Sequence, residues 1–445
     1  MTELPLAQRF ADALGQVLGP DFPTDIGLAV SGGGDSMAML YLAHNWTKTY
    51  GVRLWIVTVD HGLRTESAAE ARMVAEECAA LGWPHATLRW QWDGRGNVQD
   101  AARRARLSLI DRWRGHVTHV LLAHTEDDQA ETVLMRLARG SGVDGLAGMR
   151  PSRYVTQSPL GTTDLSDFDG DIPPNAKKTD GFHVVRPCLG LSRCDLRHYA
   201  SALKGTWVED PTNEDRSFER VRIRHLLKLL GEEGITSSVL AGTARRMARA
   251  QHGLQARLCD VVDRVCSDAP LGQVRIERDG FAALDAETQM RLLTSALRYV
   301  AAAEYRPRAS ASEALLARVL SGGSGTLHGA EVLVEADHLR VIREWAAVRD
   351  TEAQPGEPWD GQWVLDQEMG ASGNNVRALG TKGWQQIEHR SDMALPYRAA
   401  LSSPALWREC HLIACPALGF GPDLKTERYL LGMRDTGFKA FCLSH

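Results

Sequence analysis

Two rhythms of apolar and polar positions run through the first half of the chain. Leu6, Phe10, Leu14 and Leu18 recur at helical spacing, which predicts an amphipathic helix packed on a core. Residues 26–30 are a short apolar run, and three glycines then lead into Met37, Leu40 and Leu42 at helical spacing up to Gly51. That pattern predicts a buried strand, a tight turn and a helix. Further strands are expected at 54–59, 85–90 and 117–123, with helices at 67–81 and 98–113 between them. Strands alternating with helices at this pace predict an α/β fold with a doubly wound parallel sheet. The rhythm then changes. Residues 231–320 read as helical, 322–342 as short strands, 350–359 with Pro355 and Pro358 as a linker, and the end as a small mixed or β-rich domain. Three domains are therefore expected, at 1–230, 231–345 and 360–445.

Length agrees with that division, because 445 residues exceed one comfortable core. There is no run of eighteen apolar residues and no charged start followed by an apolar core. A cytoplasmic location without membrane contact is the expectation. The eight cysteines include no Cys-x-x-Cys pair, so reduced thiols are expected in preference to disulfides or a metal cluster. Residues 150–181 carry Asp164, Asp167, Asp169 and Asp171 among Gly, Pro, Ser and Thr. They read as a mobile insertion. A net charge of −5 argues mildly against a protein that coats nucleic acid. Basic residues nevertheless cluster at Arg103, Arg104, Arg106, Arg112 and Arg114, at Arg216 to Lys228, and at Arg245 to Arg249. Such patches can hold RNA phosphates on an acidic protein, or can be solvated helix faces.

The densest signal is Ser31-Gly32-Gly33-Gly34-Asp35-Ser36. Small residues let backbone N–H groups converge, and the helix that follows adds its unpaired N-terminal donors, so the turn suits a phosphate. Glycines alone would equally suit a plain tight turn. Asp35 shifts the balance, since a carboxylate beside phosphate is repulsive unless a divalent cation stands between them. Asp35 is thus the candidate Mg2+ ligand. No Gly-Lys-Ser or Gly-Lys-Thr closes a Walker loop. The Gly140 to Gly145 segment fits Gly-x-Gly-x-x-Gly by letter but follows a helical pattern, so no dinucleotide fingerprint is assigned.

Two other strand ends carry chemistry. Asp60-His61-Gly62-Leu63-Arg64 leaves the second strand, toward the crevice where ligands bind in an open α/β sheet. His124-Thr125-Glu126-Asp127-Asp128 leaves a later one, with His124 and Asp128 one helical turn apart. Acids at a helix start also favour the dipole by ~0.3–1 kcal/mol each, which accounts for Glu126 and Asp127 and leaves His124 unexplained.

The turn at 31–36 resembles the pyrophosphate loop of the ATP pyrophosphatases. With Asp60 to Arg64, Arg103 to Arg106, Arg186-Pro187, Glu209 to Arg224, and above all Asp128-Gln-Ala-Glu-Thr through Gly140-Ser-Gly-Val-Asp-Gly-Leu-Ala-Gly-Met149, the first 230 residues resemble the tRNA(Ile)-lysidine synthetase family. Family members often have a second histidine where Thr125 stands, and Asn where Val221 stands; the lysine-rich C-terminal segment typical of the family is not found. The resemblance implies ligation of free lysine to C2 of the wobble cytidine of a CAU-anticodon tRNA, through an adenylated base, with ATP giving AMP and pyrophosphate. It further implies nucleotide contacts from Ser31 to Ser36, Asp60 and His61. Catalysis falls to Asp35, His124, Asp128 and Arg139. Arg64, Arg103, Arg106, Arg186, Arg220, Arg222 and Arg224 are expected at the tRNA, and a homodimer is admitted. A 2-thiolation enzyme on the same ATP chemistry, or a non-catalytic adenine-nucleotide sensor, are the alternatives. No cysteine near 124–149 supports the first, and the second has no need of His124 and Asp128 together.

Overall fold

The computed structural model describes residues 4–62, 66–92, 94, 98–156, 168–175, 178–209, 217–366, 373–388, 395–431 and 433–444. Two compact units are present, one of residues 1–157 and 161–251, the other of 252–445 with 158–160.

The first unit begins with α1 (Leu6–Leu18), whose Phe10, Leu14 and Leu18 are buried as the periodicity predicts. It continues through β1 (Asp25–Ala29), α2 (Gly34–Tyr50), β2 (Arg53–Asp60), α3 (Ser67–Leu81), β3 (His85–Arg89), α4 (Val98–Trp113) and β4 (His119–Leu122). Then come α5 (Glu126–Ala138), α6 (Val143–Leu146), β5 (Ser152–Thr156), β6 (Phe168–Gly170), β7 (Gly181–Val185), α7 (Arg193–Ala202), α8 (Glu219–Glu232) and α9 (Ser237–Val265), whose residues from 252 on belong to the second unit. The sheet order is β5-β7-β4-β1-β2-β3-β6. From β7 to β3 the pairings are parallel, and β5 and β6 close the edges antiparallel. The apolar runs sit in the middle because a parallel strand is covered on both faces, and Ile26, Leu28, Leu54, Ile56 and Leu121 are fully buried. The chain runs outward from β1 to β3, then returns to β4 on the other side of β1. This reversal opens a crevice beyond the carboxyl ends of β1 and β4. The doubly wound parallel sheet expected from the sequence is therefore present.

Several stretches behave differently from their composition. Residues 152–156 and 168–170, read as part of a mobile insertion, pair with β7 and β3 on opposite sheet edges; Asp164 and Asp167 lie outside the described residues. Edge strands need few apolar residues, because ladder hydrogen bonds satisfy their backbone. In the second unit the helical reading is interrupted by β8 (Cys266–Ala269) and β9 (Gln273–Glu277). These strands precede α10 (Arg278–Ala282), α11 (Ala286–Ala301) and α12 (Ala309–Leu320), and join β10 (Gly325–Leu327), β11 (Ala330–Val334) and β12 (His338–Arg343) in a sheet ordered β10-β11-β12-β9-β8. After α13 (Trp345–Val348), β13 (Glu352–Ala353) pairs with β14 (Asn374–Ala378), so the segment read as a linker is held in a sheet. Trp359 there is fully buried, as is nearly all of Trp407, and both pack a core instead of offering a face to bases.

Candidate active site

The phosphate loop is built by backbone rules. Gly32 has φ +84, a left-handed value that side chains resist, and Gly33 caps α2 in an extended conformation. Ser36 Oγ donates to the Gly33 carbonyl at 2.9 Å and accepts from the Ser31 backbone N–H at 3.2 Å, which ties the loop to the first turn of α2. The Val208 N–H donates to the Gly32 carbonyl, and Trp207 packs against Gly34, where a Cβ would meet its ring at 3.4 Å. The loop and first turn of α2 thus lie beyond the carboxyl end of β1, where backbone N–H groups suit an anion.

On the neighbouring strand, Thr125 caps α5. Its hydroxyl oxygen accepts from the Asp128 N–H, and the Asp128 carboxylate accepts from the Thr125 N–H at 2.9 Å, a reciprocal capping box. The Asp128 side chain is therefore committed to helix geometry through Oδ2. Its Oδ1 accepts from Arg193 at 3.2 Å. Arg193 opens α7 behind the Ser192 cap, and its backbone N–H donates to Asp127. The same guanidinium donates to Asp35 at 3.0 Å and lies 3.8 Å from Glu131, which is fully buried and also bound by Arg224 at 2.6 Å. Arg193 thus joins the two strand-end turns. Burial pushes the Asp35 carboxyl up, with Arg193 opposing it. Burial also pushes Asp128 up, but Arg193, the Thr125 N–H and His124 outweigh it and leave that carboxyl below its ordinary value. Asp35 Oδ1 and Glu131 Oε2 are buried without a hydrogen-bond partner. An orphan carboxylate oxygen within a phosphate loop suits Mg2+, which commonly takes one or two carboxylates plus substrate phosphates.

Two imidazoles flank this centre. Burial, with the positive charges of Arg186, Arg220 and Arg106, holds His124 down at about 4, against the pull of Asp128. His61 is likewise held to about 4 by burial and by Arg106, whose guanidinium is 3.4 Å away. Both are neutral near pH 7, and each has a buried Nδ1 without a partner. Asp60 closes a turn by accepting from the Gly62 N–H at 2.9 Å. A cleft of about 320 Å3 runs along α3 beside β3 and β6, and of the expected nucleotide residues it touches Asp60 alone.

The structure brings Asp35, His124 and Asp128 to one end of the sheet, with Arg103, Arg106, Arg186 and Arg220 close enough to shift one another or the histidines. It does not bring Arg139 there. Arg139 ends α5, and eleven residues of helix separate it from Asp128 by ~16 Å; its guanidinium is taken by Glu219 at 2.7 Å. Arg222 donates to the Ser217 carbonyl and Arg224 is spent on Glu131. Arg64 lies outside the described residues. Sequence reasoning missed Arg193, and Glu131 as more than a helix residue. The one available signal was Ser192 followed three residues later by Asp195, which marks a helix start but not which acids its arginine meets. Cys188 is also close by, though distant from 124–149 in sequence. Burial, helped by Asp35 and Asp128, keeps its thiol protonated.

Comparison with known proteins agrees with this geometry. The PP-loop domain model matches residues 6–230. A tRNA(Ile)-lysidine synthase of Ruegeria pomeroyi is 39% identical over 426 residues, 95% of each chain. One of Bradyrhizobium sp. is 37% identical over 71% of this chain and 88% of its own, and one of Wolbachia pipientis wMel is 31% identical over 90% of each. Alternating strands, phosphate loop, His124 turn and similarity over nearly the whole length lead to one conclusion: the chain belongs to the tRNA(Ile)-lysidine synthase family of PP-loop ATP-using ligases.

Proposed function

We propose that this protein forms lysidine in an isoleucine tRNA, joining free lysine to C2 of the wobble cytidine of a CAU anticodon at the expense of ATP cleaved to AMP and pyrophosphate. The observation that carries the reading is the convergence of the 31–36 loop, Asp35 and His124 on the crevice between β1 and β4, in a chain 39% identical to such an enzyme over 95% of its length.

The amides of 31–36 would hold the departing diphosphate while the base's C2 oxygen attacks the α-phosphate. Asp35 Oδ1 would bind Mg2+, which when present neutralises charge on the phosphates. In the second step the lysine amine attacks C2 and AMP leaves. That amine, with a reference pKa ≈ 10.4, is unprotonated in only roughly one molecule in 2,500 at pH 7, so its proton needs an acceptor. Asp128 is held by Thr125 and Arg193. His124, neutral and with a buried Nδ1 that has no partner, is the better candidate to hold the amine by a hydrogen bond as it attacks, the proton going on to water. Arg103, Arg106, Arg186 and Arg220 would face the tRNA backbone. Residues 1–230 would carry the chemistry, and 231–345 and 360–445 would extend the tRNA contact. The 2-thiolation reading is not favoured, because the cysteine beside the site is buried and held as an inert thiol.

The test is incubation with ATP, lysine and a CAU-anticodon tRNA(Ile) transcript, reading nucleoside mass and nucleotide products. Lysidine and AMP that depend on all three are expected. ADP as the product, or an unmodified cytidine while AMP accumulates, would sink the proposal.

A further inference from the structure

Arg193 stands where a metal ion would be expected. Its Nε donates to Asp35 Oδ2 at 3.0 Å, one terminal nitrogen donates to Asp128 Oδ1 at 3.2 Å, and the other lies 3.8 Å from Glu131 Oε1. These acids come from the start of α2 and the first turns of α5, on the two sides of the crevice. A single guanidinium does not satisfy them. Asp35 Oδ1 and Glu131 Oε2 remain buried without partners, and Glu131 has no exposed surface. A buried acceptor left unpaired is costly, so two of them, left over even with Arg224 on Glu131 Oε1 at 2.6 Å, indicate acids arranged for more than Arg193. Yet no group of three metal-ligating side chains is in position to hold an ion among the described residues. The guanidinium is what bridges these carboxylates.

We propose that Arg193 is a positioning residue, a resident counter-cation that closes Asp35, Asp128 and Glu131 to a free divalent metal and admits the metal only when it arrives bound to polyphosphate. The inference rests on the reading of residues 31–36 as the polyphosphate seat. A hydrated ion alone would have to take Asp35 from Arg193 while gaining few ligands, since Mg2+ dehydrates reluctantly. An ion already carrying phosphate oxygens needs one further oxygen from the protein, and Asp35 Oδ1 is free to supply it. Metal loading is then tied to nucleotide loading, and an empty site collects no ion.

The experiment measures Mn2+ binding to the full chain by electron paramagnetic resonance, with no tRNA or lysine present. For the wild type we expect affinity at least tenfold weaker without nucleotide than with a non-hydrolysable ATP analogue. Arg193→Met, of similar length but uncharged, should bind Mn2+ alone at least tenfold more tightly than wild type. Adding Asp35→Asn should abolish that gain, and Arg193→Lys should return to within about threefold of wild type, which a merely structural role would not produce. A folded Arg193→Met protein that takes up no more Mn2+ than wild type would overturn the proposal. So would a wild type that binds Mn2+ equally with and without the analogue, and this arm decides the matter even where Arg193→Met does not fold. Because no turnover is read, a failed lysidine assay leaves these results standing.

Discussion

The two ends of the parallel sheet in the first unit handle charge in opposite ways. At the amino end, Asp25 accepts from Arg53 at 2.6 Å, from Trp55 at 2.8 Å and from Thr24 at 2.8 Å. Burial pushes its carboxyl up, but these donors win and hold it well below the usual carboxylate range. Arg114, with no exposed surface, donates to Asp111 at 2.7 Å, to the Val117 carbonyl at 3.0 Å and to Thr179, and lies 5.4 Å from the centre of the Phe182 ring. At the amino end Asp111 Oδ2 alone of these atoms lacks a hydrogen bond, and Lys178 lies 3.9 Å from it, whereas at the carboxyl end Asp35 Oδ1, His61 Nδ1, His124 Nδ1, Glu131 Oε2 and Arg186 Nε are all buried without a partner. Satisfied buried charge holds a fold together; unsatisfied buried charge is kept where something else is due to arrive.

Single substitutions at the two ends should therefore separate activity from stability. Asp35→Asn removes the orphan carboxylate and relieves repulsion with Asp128, which itself raises the Asp35 pKa. AMP formation should fall roughly 10³-fold, on the scale of losing one charge-stabilising group. The melting temperature should hold or rise, and tRNA affinity should stay within about twofold. Arg114→Met should do the reverse. Among the described residues it leaves Asp111 buried beside Lys178, 3.9 Å away, and breaking such a pair costs ~3–5 kcal/mol. Urea unfolding would read that loss, while turnover per folded molecule at low temperature stays near wild type. If Asp35→Asn lowers stability as much as Arg114→Met, the contrast between the ends is wrong.

The contrast also explains what could be read from the chain. Strand, turn and helix around residues 26–50 were legible because apolar runs, glycines and helical periodicity are local. His124 was legible because a strand end in an open sheet points at the crevice. Arg193 was not, since 158 residues separate it from Asp35 and only the return of the chain past β4 and β7 brings them together. Arg114 looked like part of a basic RNA-binding patch, and burial made it a structural pin; sequence shows its charge but not its partners. In the second unit β8 and β9 were hidden because their alternation covers few residues within Ala- and Arg-rich helical surroundings. The capping box of Asp128 was not legible, since it becomes apparent only when Thr125 is seen as the helix cap.

Acid should weaken the fold in a window set by the neutral histidines. His61 and His124 change from the ordinary 6.5 to about 4 on folding, so between those values the unfolded chain binds more protons. Stability is thus full above pH 6.5 and falls as pH drops toward 4. Asp25, with its depressed carboxyl, contributes loss only below about 3.8, the ordinary Asp value. His85 and His119, near the amino end, are also held at about 4 by burial and will add to the same window. His61→Gln with His124→Gln should remove about half of the loss, on the order of 1–3 kcal/mol for each histidine. Urea midpoints at pH 7, 5.5 and 4.5 would show it, and an unchanged slope would mean that the carboxyl-end imidazoles are not the groups being protonated.

The smallest effect should come from the arginines, where the same distinction between spent and unspent charge applies at the surface. Arg103 and Arg220 are exposed and have no carboxylate partner among the described residues. Arg139 is paired with Glu219 at 2.7 Å. Each unspent arginine that neutralises a tRNA phosphate contributes about 0.7–0.9 to the slope of log affinity against log salt. Arg103→Gln with Arg220→Gln should then weaken tRNA binding about tenfold and lower the slope by about 1.5. Arg139→Gln should change the slope by less than about 0.3, because its charge is already balanced and Glu219 would repel the phosphate that replaced it. Filter binding across a salt series distinguishes the two outcomes. A larger drop for Arg139→Gln than for the double variant would show that tRNA breaks the Arg139–Glu219 pair on binding, and that ion pairs seen in the free protein do not mark which charges the RNA uses.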